Sequence, residues 1–393
     1  MIRRGAVCYR GDTVEMTSQE RLLAALRGLE VDRIPWSPFL AYWWEHQPKT
    51  LQDQGQVWFL KEIGADALLR GFSIPFTSSD VHGFKRHASF CNPIPGCEFR
   101  REDKGDQVRI QYETPIGTLT TLARNSSVAN TCFVTEHPVK HREDYKVLGY
   151  IIERMVIAPN YEAIQQEIES VGEGGLSMPL ISPFLKTPFQ ALVEHFVGTQ
   201  QLVYDLMDYP EDVEALLAVM SERAMEAVRI AVESPAEAFI TWEDSSTTNV
   251  SPTLFSHYIA PDINRWGQVV HAAGKLLVHH ACGHVRALLP IMAQESVDAI
   301  ESLSPPPTGN VEVWEAQEVL GPQLGVIGGI EPVHFLTLDL NNLGDYVNTL
   351  LDRVRPRHYI LANSDSCPPG VSVEKFRLVT EIVRGRYVGK VGS

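Results

Sequence analysis

The sequence predicts a single α/β domain folded as a (β/α)8 TIM-type barrel, with an antiparallel β-hairpin insertion near residues 84–123. Short apolar runs alternate with helical patterns along most of the chain. There are eight such runs, which is the number of strands in this barrel. The length of 393 residues suits one barrel with an insertion, so we assign residues 1–393 to one domain.

The alternation begins with a predicted helix near the N-terminus. Thr17 and Ser18 are both candidates for the N-cap, Glu20 lies near the capping-box position, and leucines follow at helical spacing. A strand is predicted over 34–40, a helix over 56–63 and a second strand over 65–69. This order already has the β/α rhythm of a barrel.

The pattern changes between residues 84 and 123. Short alternating stretches such as QVRIQYET and GTLTTLA lie between proline and glycine turn signals. Alternation of this kind is typical of antiparallel hairpins. We therefore predict an inserted β segment that covers one mouth of the barrel.

The rest of the chain returns to the β/α pattern. Helices are predicted over 143–156, 161–171, 253–273 and 373–383. The remaining six predicted strands are short and apolar, and they are 177–181, 238–242, 275–280, 298–303, 325–327 and 358–363. The proline-rich SPPPTG stretch over 304–309 is predicted to be a rigid loop.

Composition narrows the classes of function. The net charge is −15 and the lysines and arginines are scattered, which argues against binding to nucleic acid or an anionic membrane. No apolar run approaches the roughly 20 residues of a membrane span, and the first residues lack a secretory signal pattern. The six cysteines have no disulfide-framework spacing. We expect a soluble, cytoplasmic protein that acts on a small molecule.

Chemically reactive residues cluster where predicted strands end, which is where barrel active sites lie. His280 and Cys282, in VHHACGH, end one strand. Cys367, in ANSDSCPPG, follows the last strand. Glu243 and Asp244, in ITWEDSS, end another strand.

These residues are compatible with a catalytic zinc site. His280 and Cys282 supply two ligands from one turn, Cys367 adds a third, and Glu243 is our candidate for a replaceable fourth. Zinc held by one imidazole and two thiolates can bind a further thiol as a nucleophilic thiolate, which suits methyl transfer to sulfur. The alternative, that the cysteines are buried small hydrophobes and the histidine is a core residue, stays open. His279 is predicted to be structural, because strand alternation points it away from its neighbour.

Several segments resemble the uroporphyrinogen decarboxylase superfamily. They are TSQERLLAALRGLEVDRIPW, GADALL, VHHACGHVRALLP, and VDAIESLSPPPTGNVEV with VIGGIEP. Within it, the corrinoid-dependent methyltransferases are similar at His-x-Cys followed by a late cysteine. The resemblance implies a (β/α)8 barrel and a Zn2+ ion bound by His280, Cys282 and Cys367, with Glu243 at the open position. It also implies methylcobalamin or another corrinoid carried by a partner protein.

Two segments depart from the decarboxylase pattern. AYWWEHQP stands where decarboxylases carry an arginine-rich RQAGRY-like segment, and GADALLRGFS lacks their early aspartate. Aromatic side chains cannot supply a guanidinium fork for a polyanionic substrate. We predict that a substrate pocket is lined by Tyr42, Trp43, Trp44, Trp242 and Asn363. Aromatic packing at the barrel mouth is the alternative for the first three.

The leading hypothesis is a zinc-dependent methyltransferase that moves a methyl group between a corrinoid-binding protein and a small-molecule methyl donor or thiol acceptor. Glu243 and Asp244 are its predicted catalytic residues. The alternative is a decarboxylase or lyase that acts on a carboxylated aromatic without metal. A barrel that only binds a ligand is a third hypothesis, and a homodimer is a hypothesis for its assembly.

Overall fold

The computed structural model describes residues 15–83, 88–126 and 131–388. The strands of this part of the chain are β1 (Ala67–Arg70), β2 (Phe76–Ser79), β3 (Phe90–Asn92), β4 (Glu98–Lys104), β5 (Gln107–Thr114), β6 (Gly117–Ser126), β7 (Thr131–Glu136), β8 (Ile157–Pro159), β9 (Gly175–Met178), β10 (Ala238–Glu243), β11 (Leu276–Ala281), β12 (Ala299–Leu303), β13 (Gly325–Ile330) and β14 (Tyr359–Asn363).

The α-helices are α1 (Ser18–Leu26), α2 (Ala41–Glu45), α3 (Lys49–Gln52), α4 (Gln56–Glu62), α5 (Asp144–Glu153), α6 (Tyr161–Val171), α7 (Pro188–Ala191), α8 (Thr199–Asp208), α9 (Pro210–Val232), α10 (Pro252–Leu254), α11 (Ala260–Ala272), α12 (Leu289–Met292), α13 (Val313–Leu320), α14 (Pro332–Thr337), α15 (Leu340–Arg353) and α16 (Val373–Val388). Single π-helical turns follow α7 and α10, at Leu192–Phe196 and Phe255–Ile259. Of the two predicted cap candidates, Thr17 is the N-cap of α1, and it forms a capping box with Glu20.

The parallel strands close into the predicted barrel. Five of them form a continuous sheet in the order β10-β11-β12-β13-β14, and β1 pairs with β9. A bridge between Leu180 and Ile240 joins β9 to β10, and a bridge between Trp36 and Leu361 joins the first segment to β14. The ring is completed by a hydrogen bond of 2.8 Å from the Asp66 N–H to the Trp36 carbonyl. The (β/α)8 prediction is therefore confirmed.

The first predicted strand, 34–40, is wrong as a continuous strand, because only Trp36 makes a bridge there. Pro35 and Pro38 have no N–H to give to a ladder. The Trp36 N–H donates instead to a carboxylate oxygen of Asp66 at 3.0 Å. The segment therefore takes the first strand's place in the ring without forming a regular strand.

Other predicted bounds shift by a few residues. β9 ends at Met178 instead of 181, because Pro179 cannot donate a ladder hydrogen bond. The predicted helix over 253–273 is broken into α10, a π-helical turn and α11. α6 has its predicted bounds.

The predicted insertion is an antiparallel sheet in the order β4-β5-β6-β7. It extends from Glu98 to Glu136, so the end predicted at residue 123 is corrected by a further strand, β7. The expected start at 84 lies outside the described residues. Val108, Ile110 and Leu119 of this sheet are buried in the same hydrophobic cluster as the helices around the barrel.

Two hydrophobic clusters stabilise the described part of the fold. One fills the barrel interior with side chains such as Ile240, Val278, Ile327 and Ile360, together with residues of α1. The other lies mainly between the strands and the surrounding helices. Among the described residues, no helix combines the length and the apolar composition needed to cross a bilayer.

Candidate active site

A cavity of about 1100 Å³ lies at the carboxyl ends of the barrel strands. This is the end at which barrel enzymes place their active sites. The barrel contributes side chains that include Phe39, Tyr42, Trp44, Arg70, Phe72, Trp242, Glu243, Asp244, His280, Cys282, Asp365 and Ser366. The inserted sheet contributes Arg101, Asp106 and Cys132, which agrees with the prediction that the insertion covers one mouth of the barrel.

Three polar side chains form one row across neighbouring strands. Trp242 on β10 is in register with His280 on β11, and His280 is in register with Glu301 on β12. Residues in register on parallel strands point to the same face. The contacts of His280 with Glu301 and Phe39 place this row on the inner side of the barrel, near the cavity floor.

Glu301 links His280 to Arg70. One carboxylate oxygen accepts a hydrogen bond from His280 Nδ1, and the other lies 3.2 Å from Arg70 Nε. Burial alone lowers the pKa of His280, but Glu301 and Cys282 outweigh it and hold that pKa well above its ordinary value. Burial raises the pKa of Glu301, yet His280 and Arg70 bring it below its ordinary value. The three side chains therefore form a buried, charged unit.

Cys282 lies beside this unit at the cavity. Its Sγ is 3.8 Å from Asp244 Oδ1 and 3.8 Å from the Glu243 carbonyl oxygen. The thiol also interacts with the His280 ring. Burial raises the pKa of the Cys282 thiol, and His280 offsets part of that rise. An imidazole and a thiol, two of the three predicted zinc ligands, therefore lie together.

Cys367, the third predicted ligand, lies in the hydrophobic core and is 0% exposed. Its N–H donates to the Phe39 carbonyl at 2.9 Å, and its Sγ lies 3.8 Å from the Pro368 carbonyl oxygen. Burial raises the pKa of this thiol well above its ordinary value. Within residues 15–83, 88–126 and 131–388, no three His, Cys, Asp or Glu side chains are arranged to hold a metal ion. The predicted ligand triad is thus not assembled in this conformation.

Glu243, the predicted fourth ligand, is engaged in local hydrogen bonds. Its carboxylate accepts from the Thr187 N–H at 2.7 Å, the Thr187 hydroxyl at 2.9 Å and the Thr241 hydroxyl at 3.0 Å. Burial raises the pKa of Glu243, although His279 and Lys186 counteract it. The carboxylate lines the cavity and also fixes the loop that follows β9.

The predicted aromatic residues divide between the cavity and the core. Tyr42, Trp44 and Trp242 line the cavity. Trp43 is 2% exposed, and its Nε1–H donates to the Val371 carbonyl at 2.7 Å. The prediction that Trp43 binds substrate is corrected, because helix α2 turns this side chain toward the core.

Asn363 is also corrected from a substrate-binding residue to a structural one. Its Oδ1 accepts from the Phe39 N–H at 2.9 Å, and its Nδ2 donates to the Phe39 carbonyl at 3.0 Å. The side chain is fully buried. Asn363 therefore clamps the backbone of the first segment to the end of β14.

His279 behaves as the strand alternation predicts. Its Nδ1 lies 2.7 Å from Glu295 Oε2, and its ring stacks on Phe255 at a centroid distance of 6.2 Å. These contacts lie on the side of β11 opposite to His280. His279 is a structural residue of the shell around the barrel.

Sequence reasoning missed Arg70 and Glu301 as members of the site. Both are ionisable residues within short apolar strands, ALLR and AIESL, and both are 0% exposed. Charged side chains are rarely buried unless they are paired or functional. That signal was present in the sequence, but it does not identify the partner.

Comparison with known proteins identifies the family. The sequence pattern of the family described as uroporphyrinogen decarboxylase (URO-D) matches residues 128–386, which is more than half of the chain. No curated protein matches this chain significantly.

Two solved structures illustrate the structural similarity. A methyltransferase from Methanosarcina mazei is 17% identical, with a TM-score of 0.57, over 95% of this chain and 100% of that one. A B12-independent methionine synthase from Shewanella sp. W3-18-1 is 12% identical, with a TM-score of 0.47, over 91% of this chain and 99% of that one. The first likeness supports the barrel fold. With the matched residues and the closed barrel, this chain belongs to the uroporphyrinogen decarboxylase family.

Proposed function

We propose that this chain is a zinc-dependent methyltransferase that moves a methyl group between a corrinoid protein and a small molecule. The observation that carries the proposal is the pairing of His280 and Cys282 at the cavity, with His280 fixed through Nδ1 by Glu301. A carboxylate on one imidazole nitrogen is the usual support for a histidine whose other nitrogen binds a metal. The methyltransferase from Methanosarcina mazei, whose fold is similar, supports the class of reaction.

The donor set suits zinc in part. An imidazole nitrogen and thiolates are common zinc ligands, and His280 and Cys282 lie side by side. Cys367 is proposed as the third ligand from the sequence pattern and the resemblance. Glu243 is proposed as the replaceable ligand, and it would exchange its hydrogen bonds with Thr187 and Thr241 for the metal.

The residues of the chain have distinct roles in this proposal. Bound zinc would stabilise a substrate thiolate at neutral pH or draw charge from the heteroatom that leaves a methyl donor. Asp244, whose Oδ1 lies 3.8 Å from Cys282 Sγ, is proposed to accept the proton of an entering thiol. Tyr42, Trp44 and Trp242 provide aromatic walls that orient the small molecule and displace water. The corrinoid of the partner protein would approach through the mouth of the cavity, next to the inserted sheet.

Metal content tests the ligand assignment. We expect the purified protein to hold zinc, and we expect Cys282→Ser and Cys367→Ser each to lose most of it. Cys91→Ser is the matched control, because Cys91 is exposed on β3 and does not line the cavity. Unchanged zinc in both variants would dismiss the site, and loss in Cys282→Ser alone would remove Cys367 from the ligand set.

The reaction is tested with methylcobalamin and a simple alkyl thiol. The thiolate sulfur forms a bond to the methyl carbon, and the cobalt–carbon bond breaks with its electron pair left on cobalt. The products are a methyl thioether and cob(I)alamin, and the thiol proton passes to solvent. The absorbance spectrum of the corrinoid reports the conversion of methylcobalamin to cob(I)alamin. Zinc-loaded protein that neither demethylates methylcobalamin with thiols nor methylates cob(I)alamin with methyl thioethers would refute the proposal.

A second candidate is a metal-independent decarboxylase or lyase that acts on a carboxylated aromatic. The placement of Cys367 in the hydrophobic core favours it, because a metal-independent reaction needs no second thiolate at the cavity. Release of carbon dioxide by a protein with Cys282 and Cys367 replaced would support it.

A further inference from the structure

Two side chains of the cavity carry buried N–H groups without a hydrogen-bond partner among the described residues. They are Arg70, through Nε and Nη1, and Trp242, through Nε1. Arg70 Nη2 is satisfied, since it donates to the Ser37 carbonyl at 2.9 Å. Arg70 Nε lies 3.2 Å from Glu301, near enough for an ion pair but without hydrogen-bond alignment. Buried donors are normally paired, so unpaired ones in a cavity wall call for an acceptor.

Trp242 packs against Gly71. This residue directly follows Arg70, and a Cβ placed on it would lie 2.5 Å from Cζ2 and 2.8 Å from Cε2 of Trp242. The indole therefore rests on the backbone of Gly71, and Nε1 is bonded to the nearby Cε2. Trp242 thus packs beside the residue that follows Arg70, and both side chains line the same cavity.

We infer that Arg70 and Trp242 form a subsite for a carboxylate of the small-molecule substrate. A guanidinium and an indole N–H donate hydrogen bonds and accept none, so the group that satisfies both must present acceptor oxygens. A carboxylate presents two, and its charge strengthens hydrogen bonds from arginine. The Phe39 ring, 5.3 Å from Arg70 Cζ, adds an apolar wall that limits competition from water.

Glu301 does not fill this role. One of its oxygens is taken by His280, and the other meets Arg70 Nε without satisfying Nη1. Glu301 balances the charge of the guanidinium, which makes a fully buried arginine tolerable before substrate binds. Nη1 of Arg70 and Nε1 of Trp242 therefore remain available to a ligand.

The subsite stands beside the proposed reaction centre, since Trp242 and His280 are in register on neighbouring strands. The carboxylate subsite is inferred from the donors of Arg70 and Trp242 alone. The methyl chemistry next to it rests on the proposed function. Together they define a short carboxylic acid whose methylated or methyl-accepting heteroatom lies a few bonds from the acid group.

Isothermal titration calorimetry with two matched probes tests the subsite. The probes are 3-(methylthio)propionate and its uncharged amide, which differ only in the acid group. The protein is expected to bind the carboxylate at least about tenfold more tightly, which corresponds to a hydrogen bond to a charged group. Equal affinity for the two probes, or no binding of the carboxylate, would overturn the inference.

Two variants assign the preference to these donors. Arg70→Lys keeps a positive charge beside Glu301 but removes the fork, and Trp242→Phe keeps a ring but removes the N–H. Each is expected to reduce carboxylate affinity about tenfold while amide affinity changes little. Trp58→Phe is the matched control, because Trp58 is 43% exposed on α4 and does not line the cavity. A preference that survives both variants would overturn the assignment. A preserved preference in a protein that transfers no methyl group would refute the proposed function and leave the subsite standing.

Discussion

Arg70 on β1 and Glu301 on β12 form an ion pair inside the barrel, with 3.2 Å between Nε and Oε1 and neither side chain exposed. The same carboxylate holds His280 through Nδ1. Two charged residues far apart in the sequence therefore fix the orientation of the histidine at the cavity.

Glu301→Gln should destabilise the protein by about 3–5 kcal/mol, because it leaves the buried Arg70 without a counter-charge. It should also lower the pKa of His280, since burial then acts without the opposing carboxylate. Urea unfolding measures the first effect and NMR titration of the imidazole measures the second. Glu237→Gln removes a carboxylate from a half-exposed ion pair with Arg27, so it should cost no more than about 1 kcal/mol. Equal losses in the two variants would contradict this account.

Thiol modification should separate the cysteines by their burial. Cys91 is exposed, Cys282 is partly buried and Cys367 is fully buried. Burial also raises the pKa of the last two thiols, so less thiolate is present at neutral pH. Iodoacetamide labelling followed by mass spectrometry should give the order Cys91, Cys282, Cys367 in the metal-free native protein. Labelling of Cys367 as fast as Cys91 would show that its thiol is not held in the core.

Trp43→Ala should cost about 3–5 kcal/mol of the free energy of unfolding, as expected for a large core aromatic. The ring of Trp43 lies 4.9 Å from that of Phe59 and 5.2 Å from that of Phe376, measured between centroids. Tyr42→Ala, one residue away and 43% exposed, should change stability by about 0.5 kcal/mol or less. Urea unfolding of both variants checks this. A larger loss of stability in Tyr42→Ala than in Trp43→Ala would contradict the placement of Trp43 in the core.

Gly71→Ala should disturb the position of Trp242. Gly71 has a φ of +71°, and an added Cβ would clash with the indole at 2.5 Å. Gly274→Ala is a close control, because its φ is +72° and no atom lies within 4 Å of the added Cβ. Both variants pay about 1–2 kcal/mol for a left-handed alanine. Only Gly71→Ala should also weaken binding of 3-(methylthio)propionate, and equal binding by the two variants would separate Gly71 from the subsite.

Ionisation of the buried Asp262 should lower the free energy of unfolding as the pH rises. Burial raises its pKa to about 6, although a hydrogen bond from Ser221 and the charge of Arg265 act against the rise. In the unfolded chain the Asp262 carboxyl group ionises near pH 4. Between about pH 4 and 6 the native state therefore binds more protons than the unfolded state. The free energy of unfolding therefore decreases across that window, and the decrease reaches about 3 kcal/mol once the pH exceeds 6.

The variant Asp262→Asn should therefore be more stable than the parent at pH 7.5 and lose this advantage near pH 4. Thermal unfolding across pH measures it. A constant difference at all pH values would show that the carboxyl group is not responsible.

The sequence determined the barrel, the antiparallel character of the insertion and the pairing of His280 with Cys282. Each of these follows from local pattern, because strand and helix periods recur within short windows and His-x-Cys lies within one strand end. The sequence also determined that His279 and His280 point to opposite faces, since side chains alternate along a strand.

Only the tertiary structure decided which distant residues meet. Barrel closure brings Arg70 to Glu301, and no short-range pattern encodes a contact between residues 231 positions apart in the printed sequence. The structure also decided that Trp43, Asn363 and Cys367 turn away from the cavity. The direction of a side chain at the end of a strand or in a short helix depends on how the chain leaves the strand and on what packs against it, so residue type alone does not determine it.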